Sequence, residues 1–214
     1  VAMASEYEEI VTDISASIST AEYGFATFDD YALSPYGTPS RGDLPFILQQ
    51  QITSDTDRVQ DALGDTPDHY GADAPESSLE ALYQATSGTG YDQNCDGVYG
   101  EETDVLPFFS SADDLFGGAA GEAWSESPGG GGIGGMGFRA EVLPILIYAT
   151  DNYMRDPEAG YPSPGGCPMD ASMSDVVAAA EDIGARFIGV ASEDTQPIAQ
   201  MEDLAELTNS DYDS

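Results

Sequence analysis

Lysine is absent from this chain: the five basic side chains are Arg41, Arg58, Arg139, Arg155 and Arg186, set against 40 Asp and Glu. The resulting formal charge of −35 argues against nucleic acid and anionic membranes as partners, because both would be repelled. It suits a high-salt or calcium-rich exterior. Histidine occurs once, as His69, which with cysteines confined to loops offers nothing for zinc catalysis, and no Ser-His-acid set is recognised in the sequence. No stretch is apolar for long enough to span a bilayer, which argues against membrane insertion, and VAMASEYEEI lacks the basic region and apolar core of a signal peptide. The run PGGGGIGGMG lacks the Lys and the preceding strand that a phosphate loop needs.

Only two cysteines are present, Cys95 and Cys167, both among Gly, Asp, Asn and Pro in loops. They read as one disulfide formed in an oxidising compartment, with two free thiols as the alternative; a two-Cys zinc site lacks nearby histidines. What the chain does have is 41% apolar residues over 214 positions, enough for one domain with a real core. Most of the carboxylates belong to a solvated surface. A minority remains for chemistry.

Tyr7, Ile10, Val11, Ile14 and Ile18 recur at helical spacing, so residues 5 to 19 read as an amphipathic helix. EYGFATFDD (22 to 30) and LPFILQQQIT (44 to 53) read as strands, with Arg41-Gly42-Asp43 in a turn between them. SDTDRVQDAL opens with a Ser54 or Asp55 cap and forms a short helix, and residues 77 to 86 form another with Leu79, Leu82 and Tyr83 inward. Residues 87 to 141 are a glycine-rich insertion that cannot build a core of its own; Leu106, Phe108, Phe109, Leu115, Phe116 and Trp124 tack it down. VLPILIYATD (142 to 151) is apolar throughout and reads as a strand buried on both faces. SDVVAAAEDIGA, ARFIGVAS and IAQMEDLAELT continue as helix, strand and helix. The alternation predicts a doubly wound α/β fold, a mostly parallel sheet flanked by helices.

In such a fold ligands bind at the carboxyl ends of the strands. Asp151 lies at one such end, Asp29 and Asp30 at another, and the loop GADAPE, with Asp73 and Glu76, opens the helix that follows it. Hard oxygen ligands on one rim suit Mg²⁺ or Ca²⁺. The competing reading of Asp73 and Glu76 is charge complementing a helix dipole.

EYGFATFDDY, LPFILQQQIT, GADAPESSLEALYQAT and RAEVLPILIYATDNYMRD, in that order and spacing, resemble the von Willebrand factor A domain, and DAPE resembles its integrin β-subunit variant. The resemblance implies a metal-ion-dependent adhesion site at which a partner protein's carboxylate completes the coordination of a cation. Glu76 then matches the acidic ligand of the second loop, Asp151 that of the third, and Asp73 a ligand of the neighbouring site, where Gly71 stands in place of an Asn. The family's first motif, DxSxS, is matched only at its tail by Val1, Ala2 and Met3. The string Asp13-Ile14-Ser15-Ala16-Ser17 spells the same pattern but falls within a helix. The resemblance therefore implies a chain lacking its central strand, the gap being filled by an upstream segment or by a strand from another chain.

A second cation loop is read in YDQNCDGVYGEETD: Asp92, Asn94 and Asp96 alternate, Gly97 permits a sharp turn, and Glu101, Glu102 and Asp104 follow, resembling the start of an EF-hand or dockerin loop with Thr103 in place of the final Glu. The expectation is a non-enzymatic extracellular or cell-surface domain mediating cation-dependent protein binding, with Mg²⁺ or Ca²⁺ as cofactor. Two rivals remain: a structural subunit of a filament or surface layer whose site is metal-free, and a hydrolase using Asp29 and Asp151.

Overall fold

The computed structural model describes residues 2–66, 71–100, 102–108, 129–162, 164–167, 170–191 and 197–210. Helix α1 (Ala2–Ser17) leads into strand β1 (Tyr23–Thr27), which pairs antiparallel with β2 (Ile47–Thr53). Helix α2 (Thr56–Asp65) and helix α3 (Ser78–Ser87) follow. Beyond the glycine-rich segment come β3 (Ile145–Thr150), α4 (Met173–Ile183), β4 (Arg186–Ala191) and α5 (Ile198–Leu207). Strands β3 and β4 pair in parallel, from Ile145 opposite Arg186 to Thr150 opposite Ala191.

The described residues thus form two separate two-stranded sheets, β1-β2 and β3-β4, and not the single doubly wound, mostly parallel sheet expected from the alternation of elements. Among the described residues β1 has no strand partner but β2, and β3 none but β4. The expected burial of 142 to 151 on both faces fails with it. Leu146, Tyr148 and Thr150 are buried, whereas Ile145, Ile147 and Ala149 are exposed. On β4, Ile188 and Val190 are likewise open. An unbroken apolar run leaves the number of covered faces undetermined, and here helices cover only one.

Helix α3 is the centre of the molecule. Its residues Leu79, Glu80, Ala81, Leu82, Gln84, Ala85 and Thr86 are all buried, and it packs against α4. Leu79 and Leu82 share one core cluster with Phe46 and Ile52 of the first sheet region and with Leu146, Tyr148 and Phe187 of the second. It stops where Gly88 takes a left-handed φ of 65° and returns its amide to the Gln84 carbonyl, a conformation that glycine adopts at no steric cost. Helix α4 starts with a capping box: Ser172 accepts from the Asp175 amide while the Asp175 carboxylate accepts from the Ser172 amide, satisfying two donors that the first turn leaves orphaned.

Helix α1 packs on α2. Of its expected stripe only Val11 is buried, while Ile10 and Ile18 are exposed. Within the insertion Phe108 is buried as expected, whereas Phe109, Leu115, Phe116 and Trp124 lie outside the described residues, as do Val1 and His69. Arg41-Gly42-Asp43 is a plain turn: a short 3-10 helix spans Pro39–Arg41, and the wholly buried Asp43 accepts the Thr38 amide at 2.7 Å. A carboxylate so enclosed is not displayed to a receptor.

Candidate functional site

The loop GADAPE ends where Glu76 meets the segment after β3. The Glu76 amide donates to the Tyr153 carbonyl at 2.8 Å, and the Arg155 amide donates to the Glu76 carbonyl at 2.8 Å, so two main-chain bonds hold Glu76, just ahead of the Ser77 cap of α3, against the strand's exit. Gly71 stands directly beside it. With φ at +49°, a Cβ there would lie 3.7 Å from Glu76 Oε2 and 3.9 Å from the Asp30 Cβ. Glu76, Gly71 and Asp30 are therefore neighbours, although 46 positions separate Asp30 from Glu76 in the sequence.

Burial, followed by the negative charges of Asp151 and Asp73, pushes the Glu76 carboxyl up to about 7; Asp29 adds to the rise and Arg155 opposes it. Glu76 is thus within electrostatic reach of the acids at the ends of both β1 and β3. Asp151 itself is exposed. Asp30 is wholly buried; its Oδ1 accepts the Tyr31 amide at 2.7 Å, and its carboxyl is raised to about 8, by burial first and by Asp73 next, against the pull of the Tyr31 amide and Arg155.

The single cation in this group is Arg155, only 1% exposed. Its Nη2 donates to Asp73 Oδ1 at 2.7 Å and to the Pro75 carbonyl at 2.6 Å, and its Nη1 donates to the Pro162 carbonyl at 3.1 Å. The guanidinium also lies 4.6 Å from the ring centre of Tyr36, a cation-π contact. Asp73, expected as a ligand of a second cation, is the partner of an arginine. In a chain with so few basic residues, an Arg just beyond an acidic strand end is a readable signal, since a buried guanidinium requires carboxylates.

The loop from Asp92 to Asp104 folds on itself. Asp92 Oδ1 accepts the Asn94 and Cys95 amides at 3.2 and 2.7 Å, and its Oδ2 accepts the Gly97 amide at 2.8 Å. Asn94 Oδ1 takes the Asp96 amide, Asp96 Oδ1 the Val98 amide, and Asp104 Oδ1 the Gln93 amide. Gly97 has the positive φ, 79°, that the sharp turn demands. Asp92 and Asp104 are buried, whereas Asn94, Asp96 and Glu102 are exposed; Glu101 lies outside the described residues. The loop is fixed by a disulfide between Cys95 and Cys167 and by Asp92 and Cys167 exchanging both backbone hydrogen bonds at 2.8 Å.

A second buried polar cluster gave no periodic signal. Glu80 accepts from Gln84 Nε2 and from the Ala171 amide, each at 2.8 Å, and Tyr31 O–H donates to it at 3.5 Å. Next to it the Tyr91 hydroxyl donates to Asp170 Oδ1 at 2.5 Å. Burial raises the Glu80 carboxyl to about 7 and also lifts Asp170. The only hint in the sequence is the four-residue spacing of Glu80 and Gln84, which allows a side-chain bond on a helix.

Among the described residues no three His, Cys, Asp or Glu side chains form a ready-made metal-binding group. The oxygen donors near Glu76 fit a hard cation that keeps most of its water, as Mg²⁺ does when one or two carboxylates hold it. They do not fit a fully chelated ion. No protein-family model matches the chain, and no curated protein matches it.

Proposed function

We propose that this chain is a binding module that engages a protein partner through a divalent cation held at Glu76 and Asp151, the chemistry that the DAPE and ATD motifs imply in the von Willebrand factor A resemblance. The observation that carries this reading is the charge imbalance around Glu76. Asp29, Asp73 and Asp151 all bear on it, and the one nearby cation is already engaged by Asp73. Mg²⁺ or Ca²⁺ would neutralise the remainder and leave open positions for a partner carboxylate. Residues of this chain would anchor the ion and hold the loop in place. A disulfide and an acidic, lysine-free surface support an extracellular or cell-surface setting. Among the described residues no helix is long and apolar enough to cross a membrane.

The test is Mn²⁺ titration of the wild type and of the Glu76→Gln and Asp151→Asn variants, followed by binding of an aspartate-bearing peptide with and without chelator. Each variant should weaken Mn²⁺ binding by about tenfold or more, equivalent to about 1.4 kcal/mol, and peptide binding should require the ion. Equal Mn²⁺ affinity in all three proteins would overturn the reading.

A structural role is the second reading, and a specific observation favours it. Ile145, Ile147, Ile188 and Val190 present an uncharged exposed face, and among the described residues β1 and β3 each have one edge without a strand partner. Such edges accept a strand from another chain. Self-association that persists in chelator, measured by sedimentation, would favour this reading over the first.

A further inference from the structure

We infer that Arg155 is a built-in cation that fills the inner half of the acidic site, so that the site takes one divalent ion, at Glu76 and Asp151, and not two. The inference rests on the proposed cation site and assigns its stoichiometry. Three features of the guanidinium carry it. It is enclosed, at 1% exposure. Two carbonyls hold it, those of Pro75 and Pro162, from the chain segments on either side of the site, so its position does not depend on the acids alone. It also faces two carboxylates at once, with Nη2 2.7 Å from Asp73 Oδ1 and 3.7 Å from Asp30 Oδ2.

The second of those carboxylates is informative. Asp30 is wholly buried, and its Oδ2, which makes no hydrogen bond among the described residues, lies 3.7 Å from the guanidinium. The guanidinium charge it faces opposes the protonation that burial and Asp73 favour. With Gly71 offering no side chain, the pocket shared by Asp30, Asp73 and Arg155 is closed by a positive charge belonging to the chain itself. Hard oxygens 2.7 to 3.7 Å from a guanidinium nitrogen are where a hydrated or directly bound divalent ion would sit if the arginine were gone. Arg155 is a positioning residue here: it holds Asp73 away from the outer ion and fixes the loop that carries Glu76.

The experiment counts bound Mn²⁺ by equilibrium dialysis in an Asp96→Asn background, which removes an exposed acid of the 92–104 loop from the count. The variants are Arg155→Gln, Arg155→Lys, Asp73→Asn and the double variant Arg155→Gln/Asp73→Asn. Arg155→Gln should bind one more ion than its parent and should gain thermal stability when Mn²⁺ is added. Arg155→Lys should keep the parental count, and the double variant should lose the extra ion. Asp73→Asn alone should keep the parental count of bound Mn²⁺.

Unchanged stoichiometry in a folded Arg155→Gln protein would overturn the inference. So would loss of the parental ion from the count in Asp73→Asn, a comparison that remains available if Arg155→Gln does not fold. Absence of Mn²⁺ from the parent defeats the proposed function instead, and an ion gained by Arg155→Gln in that case still supports the arginine as the resident cation.

Discussion

Glu80 is a carboxyl inside the most buried helix of the molecule, and its hydrogen bonds to Gln84, Ala171 and Tyr31 do not offset the loss of water, so its proton is retained up to about pH 7. Asp30 and Glu76 behave alike, at about 8 and about 7. Each folded-state value lies above that of the unfolded chain, so between the two values the folded protein binds more protons, and stability falls as pH rises. The contribution is fully present below the ordinary carboxylate range and is lost as pH climbs through 7 to 8. Glu80→Gln keeps the shape and removes the titration. Its thermal midpoint should decline less between pH 5 and pH 8 than that of the wild type, the difference corresponding to at most about 3 kcal/mol at 1.36 kcal/mol per pKa unit. Parallel melting curves for the two proteins across that range would contradict the assignment.

At the scale of elements, β3 carries both an opportunity and a liability. Tyr148 packs edge-on against Phe187 with ring centres 6.3 Å apart, yet among the described residues its buried hydroxyl has no hydrogen-bond partner. Tyr148→Phe removes an unsatisfied group and keeps the ring, so it should leave stability unchanged or raise it by about 1 kcal/mol in denaturant unfolding. Helix α4 shows the opposite case. Ser172→Ala deletes the side-chain half of a capping box and should cost about 1 kcal/mol, read as a lower urea midpoint with an unchanged slope. Local structure of this kind was legible in the sequence. Periodicity placed α3 and α5 within a residue, because Leu79 and Leu82, or Met201 and Leu204, recur at helical spacing. How the strands associate was not legible. ILIYAT is equally apolar on its buried and its exposed side, so composition could not tell one covered face from two. Motif spacing drew attention to Glu76 and Asp151 and the strand ends to Asp30, whereas the burial of Asp30, Glu80 and Arg155 depends on packing between segments far apart in the chain.

At the scale of the whole molecule, one covalent bond connects the acidic loop to the approach to α4. Replacing both cysteines by serine should destabilise the protein by about 2 to 4 kcal/mol on the chain-entropy model, towards the lower end because the Asp92 and Cys167 backbones remain paired. Chemical denaturation of oxidised protein against the double variant measures this. The bridge has another consequence, one of topology. Residues 95 and 167 close a ring of chain that contains only two of the five arginines, Arg139 and Arg155, and no lysine. Arg155 is shielded, but the Arg139 side chain is 32% exposed. A protease that cuts after basic residues, besides trimming the chain at the exposed Arg41 and Arg58 outside the ring, should open the ring at Arg139, and the pieces on either side of that cut should stay joined until a reductant separates them.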